Sequence, residues 1–463
     1  MYPIVLVFLY YILGILINLA GEHSVLLLFV VASIVVLTII FKYFPTILLL
    51  VPFFVGYVIT SNSVYTDNSQ LNLQKVEGII YSQVGYKNFT KLYIKTDEYK
   101  LMGLVNLNDD FQIGDIIKFE GEFQLLEKNE YKEFLYERSK GIDYKVLIRD
   151  YEIVGNTRTI YTLREDIKSN IYKIFNNKDG DIVTAMTIGI RNIHKETEEA
   201  YKISGMYHII AISGLHIGIL VLLVYNVLSY FFIGFWNIRI VTIVTMLFIF
   251  LFAFFTGGSA STIRAATMTC ITLLPIFVYR KANPVATLFG AGVVILVYEP
   301  LFLFTSGFIL SFLAAFGIIT CTPIMIDLFN YLRIRFNLKY YNLDKVLSCF
   351  IAVFLLTTPY MVYAFGYFYP YSIFANMLLI PFITILVFLC FLVVIFSFLW
   401  MPLASILAVP VKIILKFFYY VTNFFGMLPY STIKISASIK FLMYYYLALG
   451  IVYILWYFNR KKD

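Results

Sequence analysis

The chain has 463 residues, of which 60% are hydrophobic and only 14% are charged. Soluble domains contain about 45–50% apolar and about 25% charged residues, so this composition excludes a soluble enzyme, and it equally excludes a disordered protein. The net charge of +8 is modest, and in a membrane protein basic residues indicate orientation more than a nucleic-acid partner.

Long continuous apolar runs predict a polytopic α-helical membrane protein rather than an outer-membrane β-barrel. Three runs open the chain at residues 2–20, 25–41 and 45–60. The first lacks the basic start of a signal peptide, so we interpret it as a membrane helix. The later candidate spans are residues 207–232, 240–256, 262–279, 284–299, 301–322, 346–368, 371–398, 402–424 and 439–458.

Between these groups of spans the chain is polar. Turn-forming residues separate five short β-type stretches, which predict a small β-barrel or sandwich. The stretches are Lys75 to Gln83, Thr90 to Thr96, Leu101 to Leu107, Ile116 to Leu125 and Asp143 to Ile153. Residues 161–205 follow as amphipathic helices, which we expect at the membrane surface. The predicted domains are residues 1–60, 61–157, 158–205 and 206–463.

Basic residues in short loops predict the orientation, because cytoplasmic loops are rich in Lys and Arg. The loops with Arg239, Arg280 and Arg333 are therefore expected in the cytoplasm. If the N-terminus is cytoplasmic, three membrane crossings place the β domain on the outer side of the cytoplasmic membrane. The basic tail also falls inside only if 402–424 crosses the bilayer, and Lys412 and Lys416 leave open that this segment lies along the surface.

Polar residues interrupt the apolar pattern where the second group of spans begins. His208, Ser213 and His216 lie there with Gly214 and Gly218. Ser213 and His216 are three residues apart and share a helix face, and the glycines allow another backbone to approach closely. Ionisable groups in membrane segments usually face the bundle interior or a water-filled cavity. The alternative is that both histidines only pack at a helix end.

A second interruption lies at residues 256–268, where Ser259, Ser261 and Arg264 follow two glycines. An arginine with hydroxyls at a helix start suits a phosphate or another anion. The alternative is a flexible turn with an arginine that reaches the surface. Ser311 and Asn376 place polar groups in two later spans, and each alone is typical of packing or a helix kink.

Together these segments resemble the ComEC family of bacterial competence proteins. Residues 208–218 are similar to its signature HLLAISGLH, and residues 261–268 fit its Ser-x-x-Arg-Ala-x-x-Met motif. Further similarities lie at residues 189–191, 310–312 and 376–381, and at 114–115 and 129–144, which resemble the family's N-terminal OB-fold domain.

The resemblance implies a channel that passes single-stranded DNA into the cytoplasm during natural transformation, with a DNA receptor, a cytoplasmic motor and a separate nuclease as partners. It implies an OB-like β domain outside the cell membrane. The channel-lining candidates that it marks, together with the polar interruptions, are His208, Ser213, Gly214, His216, Gly218, Ser259, Ser261, Arg264, Ser311 and Asn376.

Many family members carry a C-terminal metallo-β-lactamase-like domain. This chain ends soon after the last predicted span, and its four histidines show no metallohydrolase pattern. We therefore expect no metal and no cofactor, and another polypeptide for strand degradation. The four cysteines lie in apolar runs, which argues against a disulfide framework or a zinc site.

The β domain offers Lys87, Lys91, Lys95 and Tyr93 as DNA-binding candidates, since lysines beside aromatic rings suit a single strand. Residues 70–156 nevertheless contain 12 Lys or Arg and 15 Asp or Glu, a net charge of −3. A DNA-tracking surface should be basic, so a solvated β face is the alternative.

Two other function classes remain open at this point. Broken helices at mid-membrane also suit a transporter of small solutes or lipid-linked substrates. An intramembrane hydrolase would use Ser213 as nucleophile with His216 or His208 as base, although the sequence offers no evident third group to orient the base.

Overall fold

The computed structural model describes residues 3–20, 50–64, 76–85, 89–97, 99–106, 111–125, 137–138, 141–142, 144–190, 193–232, 237–278, 283–336 and 343–460. These residues form two compact units. The first comprises Met1–Ser169 and Gly292–Thr305, and the second comprises Asn170–Ala291 and Ser306–Asp463. The predicted span at residues 25–41 lies outside the described residues.

The first unit opens with two packed apolar helices, α1 (Pro3–Ala20) and α2 (Leu50–Val64). Five strands follow and close into a barrel in the order β1-β2-β3-β5-β4, with β1 pairing back to β4. The strands are β1 (Val76–Gly85), β2 (Phe89–Lys95), β3 (Lys100–Asn106), β4 (Asp115–Leu125) and β5 (Tyr144–Asn156). The five predicted strands are confirmed, and they form a barrel rather than a sandwich.

Alternating side chains fill the barrel, because successive residues of a strand point to opposite faces. Leu92 and Ile94 of β2 point inward together with Leu101, Ile117 and Phe119. β3 and β5 pair in parallel, whereas the other pairs of described strands in the barrel are antiparallel. A parallel pair requires a crossover connection, and the chain between β3 and β5 supplies it by forming β4.

Helices make up most of the second unit. They are α3 (Ile160–Ile174, which begins in the first unit), α4 (Asn177–Ile188), α5 (Lys195–Ile203), α6 (Tyr207–Ile210), α7 (Gly214–Phe232), α8 (Ile238–Phe255), α9 (Ala260–Leu273), α10 (Pro275–Val278), α11 (Pro284–Tyr298, which ends in the first unit), α12 (Ser306–Phe336), α13 (Leu343–Phe365), α14 (Ser372–Leu399), α15 (Met401–Met427) and α16 (Ile439–Arg460). A 3₁₀ helix at Pro300–Phe304 precedes α12.

Seven of the described helices are long and apolar enough to cross a membrane. They lie at Tyr207–Phe232, Ile238–Phe255, Ser306–Phe336, Asp344–Phe365, Ser372–Leu399, Met401–Met427 and Ile439–Trp456. The protein is therefore a polytopic, mostly helical membrane protein with one small β-barrel, as the apolar runs predicted.

Two predicted spans have wrong boundaries. The span at 301–322 is a 31-residue helix that starts at Ser306 and continues through Pro323 to Phe336. The span at 262–279 is interrupted, because α9 ends at Leu273 and Pro275 opens a separate short helix. Proline lacks the N–H that a continuous helix needs at that point.

α15 runs antiparallel to α14 along its whole length. Trp400 alone joins the two helices at one end. At the other end, β6 (Tyr367–Phe368) before α14 pairs with β7 (Ile433–Lys434) after α15. The C-terminal end of α15 therefore lies level with the N-terminal end of α14. If α14 crosses the bilayer, α15 crosses it too, and a position along the surface is disfavoured.

α4 is a buried helix rather than a surface one. Every residue from Gly180 to Ile188 is buried, and α4 packs against α14. The sequence pattern of residues 161–205 favoured helices at the membrane surface, but burial depends on neighbours that the local pattern does not contain. α5 (Lys195–Ile203) is largely polar, with Thr197 and Tyr201 as its buried residues.

Candidate functional site

The helix that carries the family signature is broken. α6 contains His208 and ends at Ile210, and Ala211 is extended with φ −75° and ψ 142°. The chain re-enters a helix at Gly214, where α7 begins. Broken helices inside membrane bundles place helix ends, with their unpaired backbone groups, in the interior.

Ser213 and His216 form a hydrogen-bonded pair at this break. The Ser213 hydroxyl lies 2.8 Å from His216 Nδ1, and the Ser213 backbone N–H donates to the same nitrogen at 3.3 Å. A backbone N–H can only donate, so Nδ1 is the accepting nitrogen, and in a neutral imidazole the proton then lies on Nε2. His216 is 1% exposed, and its Nε2 has no hydrogen-bond partner among the described residues.

Arg264 lies inside the second unit, only 8% exposed. Its Nε donates to the Ser311 hydroxyl on α12, and its Nη1 lies 2.9 Å from the Met268 sulfur one turn further along α9. The guanidinium makes no ion pair with any described residue. An arginine this deeply buried usually has a carboxylate partner.

Gly214 brings Arg264 against the start of α7. A Cβ built at Gly214 would lie 3.1 Å from Arg264 Nη2 and 3.7 Å from the Ala265 Cβ. The absence of a side chain therefore lets the guanidinium reach the first turn of α7. Gly218 differs, since a Cβ there would meet nothing within 4 Å among the described atoms, so the close approach predicted for both glycines occurs only at Gly214.

His208 faces the Asn376 side chain and the Gly205 backbone. Asn376 in turn donates from Nδ2 to the Ser372 carbonyl at 2.7 Å, in the first turn of α14. His208 itself is exposed.

The structure thus brings most of the predicted membrane residues into one polar cluster. The polar cluster consists of His208, Ser213, Gly214, His216, Arg264, Ser311 and Asn376. Its members come from α6, α7, α9, α12 and α14 and from the break between α6 and α7.

The remaining predicted membrane residues lie outside these contacts. Ser259 caps α9, with its side chain accepting from the Thr262 backbone N–H. Ser261 is half-buried in the first turn of α9. Gly257 and Gly258 both have positive φ and turn the chain from α8 into α9. Their role in the structure is to begin the helix that carries Arg264.

In the barrel, Lys91 and Tyr93 are buried rather than displayed. Lys91 Nζ lies 3.0 Å from Glu137 Oε1, and Tyr93 shares that carboxylate at 3.4 Å. Lys95 is exposed on the same strand, whereas Lys87 lies outside the described residues. Of the four barrel candidates, Lys95 is the described one whose charge faces solvent.

Sequence reasoning missed two polar groupings. Glu137 is separated from Lys91 by 46 residues, and no local pattern marks it. Asp181 is 3% exposed and accepts from Tyr172, from the His194 backbone at 3.0 Å and from His194 Nδ1 at 2.5 Å. A lone acidic residue in the apolar stretch 181–188 was the available signal, because such residues are rarely buried without partners.

The described residues contain no group of three or more His, Cys, Asp or Glu side chains that could hold a metal ion. The arrangement also lacks one part of a serine hydrolase. Ser213 and His216 are within hydrogen-bond distance, but among the described residues no carboxylate orients the other imidazole nitrogen, as a catalytic triad requires.

The family model for competence proteins matches residues 186–460, a span that includes the whole polar cluster and covers more than half of the chain. The chain belongs to the competence protein family. The resemblance to the ComEC family is thereby confirmed.

Among curated proteins, the chain is 28% identical over 258 residues to ComE operon protein 3 of Bacillus subtilis (strain 168), a match that covers 55% of this chain and 31% of that protein. It is 26% identical over 193 residues to an uncharacterized protein of Aquifex aeolicus (strain VF5), covering 42% of each. The matches span less than half the length of either relative. No solved structure matches the chain.

Proposed function

We propose that this competence-family protein forms the membrane channel through which single-stranded DNA enters the cytoplasm during natural transformation. One observation carries the proposal: residues from five helices of the second unit assemble the polar cluster. A polyanion needs such a lining, because bare phosphates do not enter hydrocarbon.

Two features of the polar cluster support a wet path for DNA. His208 is exposed beside the Asn376 side chain. Arg264 supplies a positive charge that no described carboxylate neutralises.

We further propose that the barrel is an OB-type domain on the outer side of the cytoplasmic membrane. Its closed five-strand order and its parallel β3–β5 pair support the first part, since OB folds are five-stranded Greek-key barrels that bind oligonucleotides. Lys95 is the described lysine of β2 that is exposed for such contact. A DNA receptor, a motor and a nuclease are proposed as separate partners.

The function is tested by uptake of labelled DNA into the cytoplasm of a competent host. Deletion of the gene should abolish uptake and the wild-type gene should restore it. Ser213→Ala should reduce uptake with the protein still in the membrane, whereas Ser405→Ala, an exposed serine on α15, should not. Normal transformation in the deletion strain would refute the proposal, and solute uptake by proteoliposomes without DNA would favour a transporter instead.

Sidedness is tested separately with a maleimide that does not cross membranes. Lys95→Cys in the barrel should be labelled in intact cells, while Arg335→Cys at the exposed end of α12 should be labelled only after the cells are permeabilised. The reverse pattern would contradict the proposed orientation.

A further inference from the structure

We infer that Arg264, the Nε2 of His216 and the first turn of α7 form a binding site for a phosphodiester group. This inference rests on the proposed function and refines it: the channel would hold the DNA backbone by its phosphates, whatever the bases. Three groups support it: a guanidinium without a counter-charge among the described residues, the N-terminus of α7, and a buried imidazole nitrogen without a described partner.

The first group is the Arg264 guanidinium. It is 8% exposed, and its contacts are a neutral hydroxyl and a thioether. Taking a charged group out of water is strongly unfavourable unless an opposite charge compensates it. Since no described residue supplies that charge, an anionic ligand is the compensation that the site admits. Arginine also presents two parallel N–H groups that match a phosphate.

The second group is the N-terminus of α7. The first hydrogen bond of this helix runs from the Ile217 N–H to the Ser213 carbonyl at 3.2 Å. The N–H groups of Gly214, Leu215 and His216 come before that bond, at the open end of the helix. Helix N-termini carry a partial positive charge and bind phosphates through such N–H groups. Arg264 Nη2 lies directly against Gly214, which puts the guanidinium and these N–H groups side by side.

The third group is the imidazole of His216, in the same first turn. Its Nδ1 accepts the Ser213 N–H, which leaves the proton of the neutral ring on Nε2. That nitrogen is fully buried and has no partner among the described residues. A buried donor without an acceptor is destabilising, and an acceptor supplied by a ligand would remove that cost. A non-bridging phosphate oxygen is an acceptor that also carries charge.

A phosphodiester is offered both by a nucleic acid backbone and by a phospholipid headgroup. The site favours the nucleic acid, because Arg264 is buried among α7, α9 and α12 rather than on the lipid-facing surface. A lipid headgroup would have to leave the membrane surface to reach it, whereas a thread of nucleotides passes through the interior of the bundle.

The first test uses the full-length protein in phosphatidylcholine nanodiscs and a fluorescent ten-residue oligothymidylate. Binding should be at least ten-fold weaker for the same oligomer with an uncharged methylphosphonate backbone. Arg264→Met should remove most of that difference and reduce the slope of log K against log salt by about 0.7, the value for one lost phosphate contact in a single strand. Arg335→Met, on the exposed end of α12, is the matched control and should change neither.

The second test measures DNA uptake in cells. Arg264→Met should reduce uptake at least ten-fold, Arg264→Lys should retain part of it, and Arg335→Met should leave it unchanged. If Arg264→Met fails to reach the membrane, Arg264→Gln replaces it in both tests.

The outcomes separate the two proposals. Uptake that persists after gene deletion overturns the channel function itself. Uptake that depends on the gene but not on Arg264, or equal binding of charged and uncharged backbones, overturns the phosphate site alone. Displacement of the oligomer by phosphatidylglycerol nanodiscs, with no difference between the two backbones, would assign the site to lipid and also overturn the inference.

Discussion

A single methyl group at Gly189 should disturb the packing of the second unit. It ends α4 in the left-handed conformation with φ +76°, and a Cβ there would lie 2.5 Å from the Thr256 carbonyl oxygen. Thr256 in turn ends α8 just before the turn into α9, the helix of Arg264. A left-handed conformation costs a residue with a side chain about 1–2 kcal/mol, and overpacking against a fixed backbone atom adds about 1–3 kcal/mol.

Gly189→Ala is therefore expected to lower the free energy of unfolding by about 2–5 kcal/mol. Gly366→Ala is a matched control, because Gly366 has the same φ of +76° but nothing within 4 Å of its Cβ position. It should lose only the conformational part, about 1–2 kcal/mol. Thermal unfolding midpoints of the two purified variants, followed by tryptophan fluorescence, give the comparison. Equal midpoints would refute the argument that Gly189 is required for the contact with Thr256.

Three further predictions concern buried polar groups. Glu137→Gln should lower the free energy of unfolding by about 3–5 kcal/mol, since it leaves Lys91 charged and buried. Replacing both residues by apolar ones should restore most of that stability in a denaturation assay. A Glu137→Gln variant as stable as the wild type would contradict the importance of this ion pair. Asp181→Ala should increase proteolysis after Lys195, because the two hydrogen bonds that hold His194 disappear. An unchanged cleavage rate would count against this role. Burial raises the pKa of the Tyr81 phenol, so the neutral phenol contributes its full stability below pH about 10 and this contribution is lost as the pH rises further. Tyr81→Phe should therefore flatten the alkaline fall in unfolding temperature. An unfolding curve with the same pH dependence as the wild type would exclude Tyr81 as the cause.

Elements with a strong local pattern could be predicted from the sequence. The strands of the barrel alternate and end at turn-forming residues, so their bounds were close to those observed. The long apolar runs likewise became helices of spanning length. Where the pattern is weak the bounds were wrong, as at Ser306–Phe336, whose last turns are polar and whose Pro323 falls inside the helix.

Contacts between distant residues could not be predicted in the same way. Arg264 and Ser311 are 47 residues apart, and only the packing of α9 against α12 makes them partners. The motif marked both residues as candidates but gave no reason to pair them. Lys91 shows the opposite error, because a lysine beside aromatic rings looked like a surface group until Glu137 was placed next to it. The sequence shows which residue types are present, but not which distant residues are in contact.

The short ladder between β6 and β7 has a mechanical consequence. α14 and α15 are joined by one residue at one end and by backbone hydrogen bonds at the other, so neither helix can slide or tilt without the other. We therefore expect the two helices to move as one rigid body. In the proposed channel, a change of width beside Asn376 would then come from the other helices of the polar cluster, where the chain is non-helical at Ala211 to Ser213.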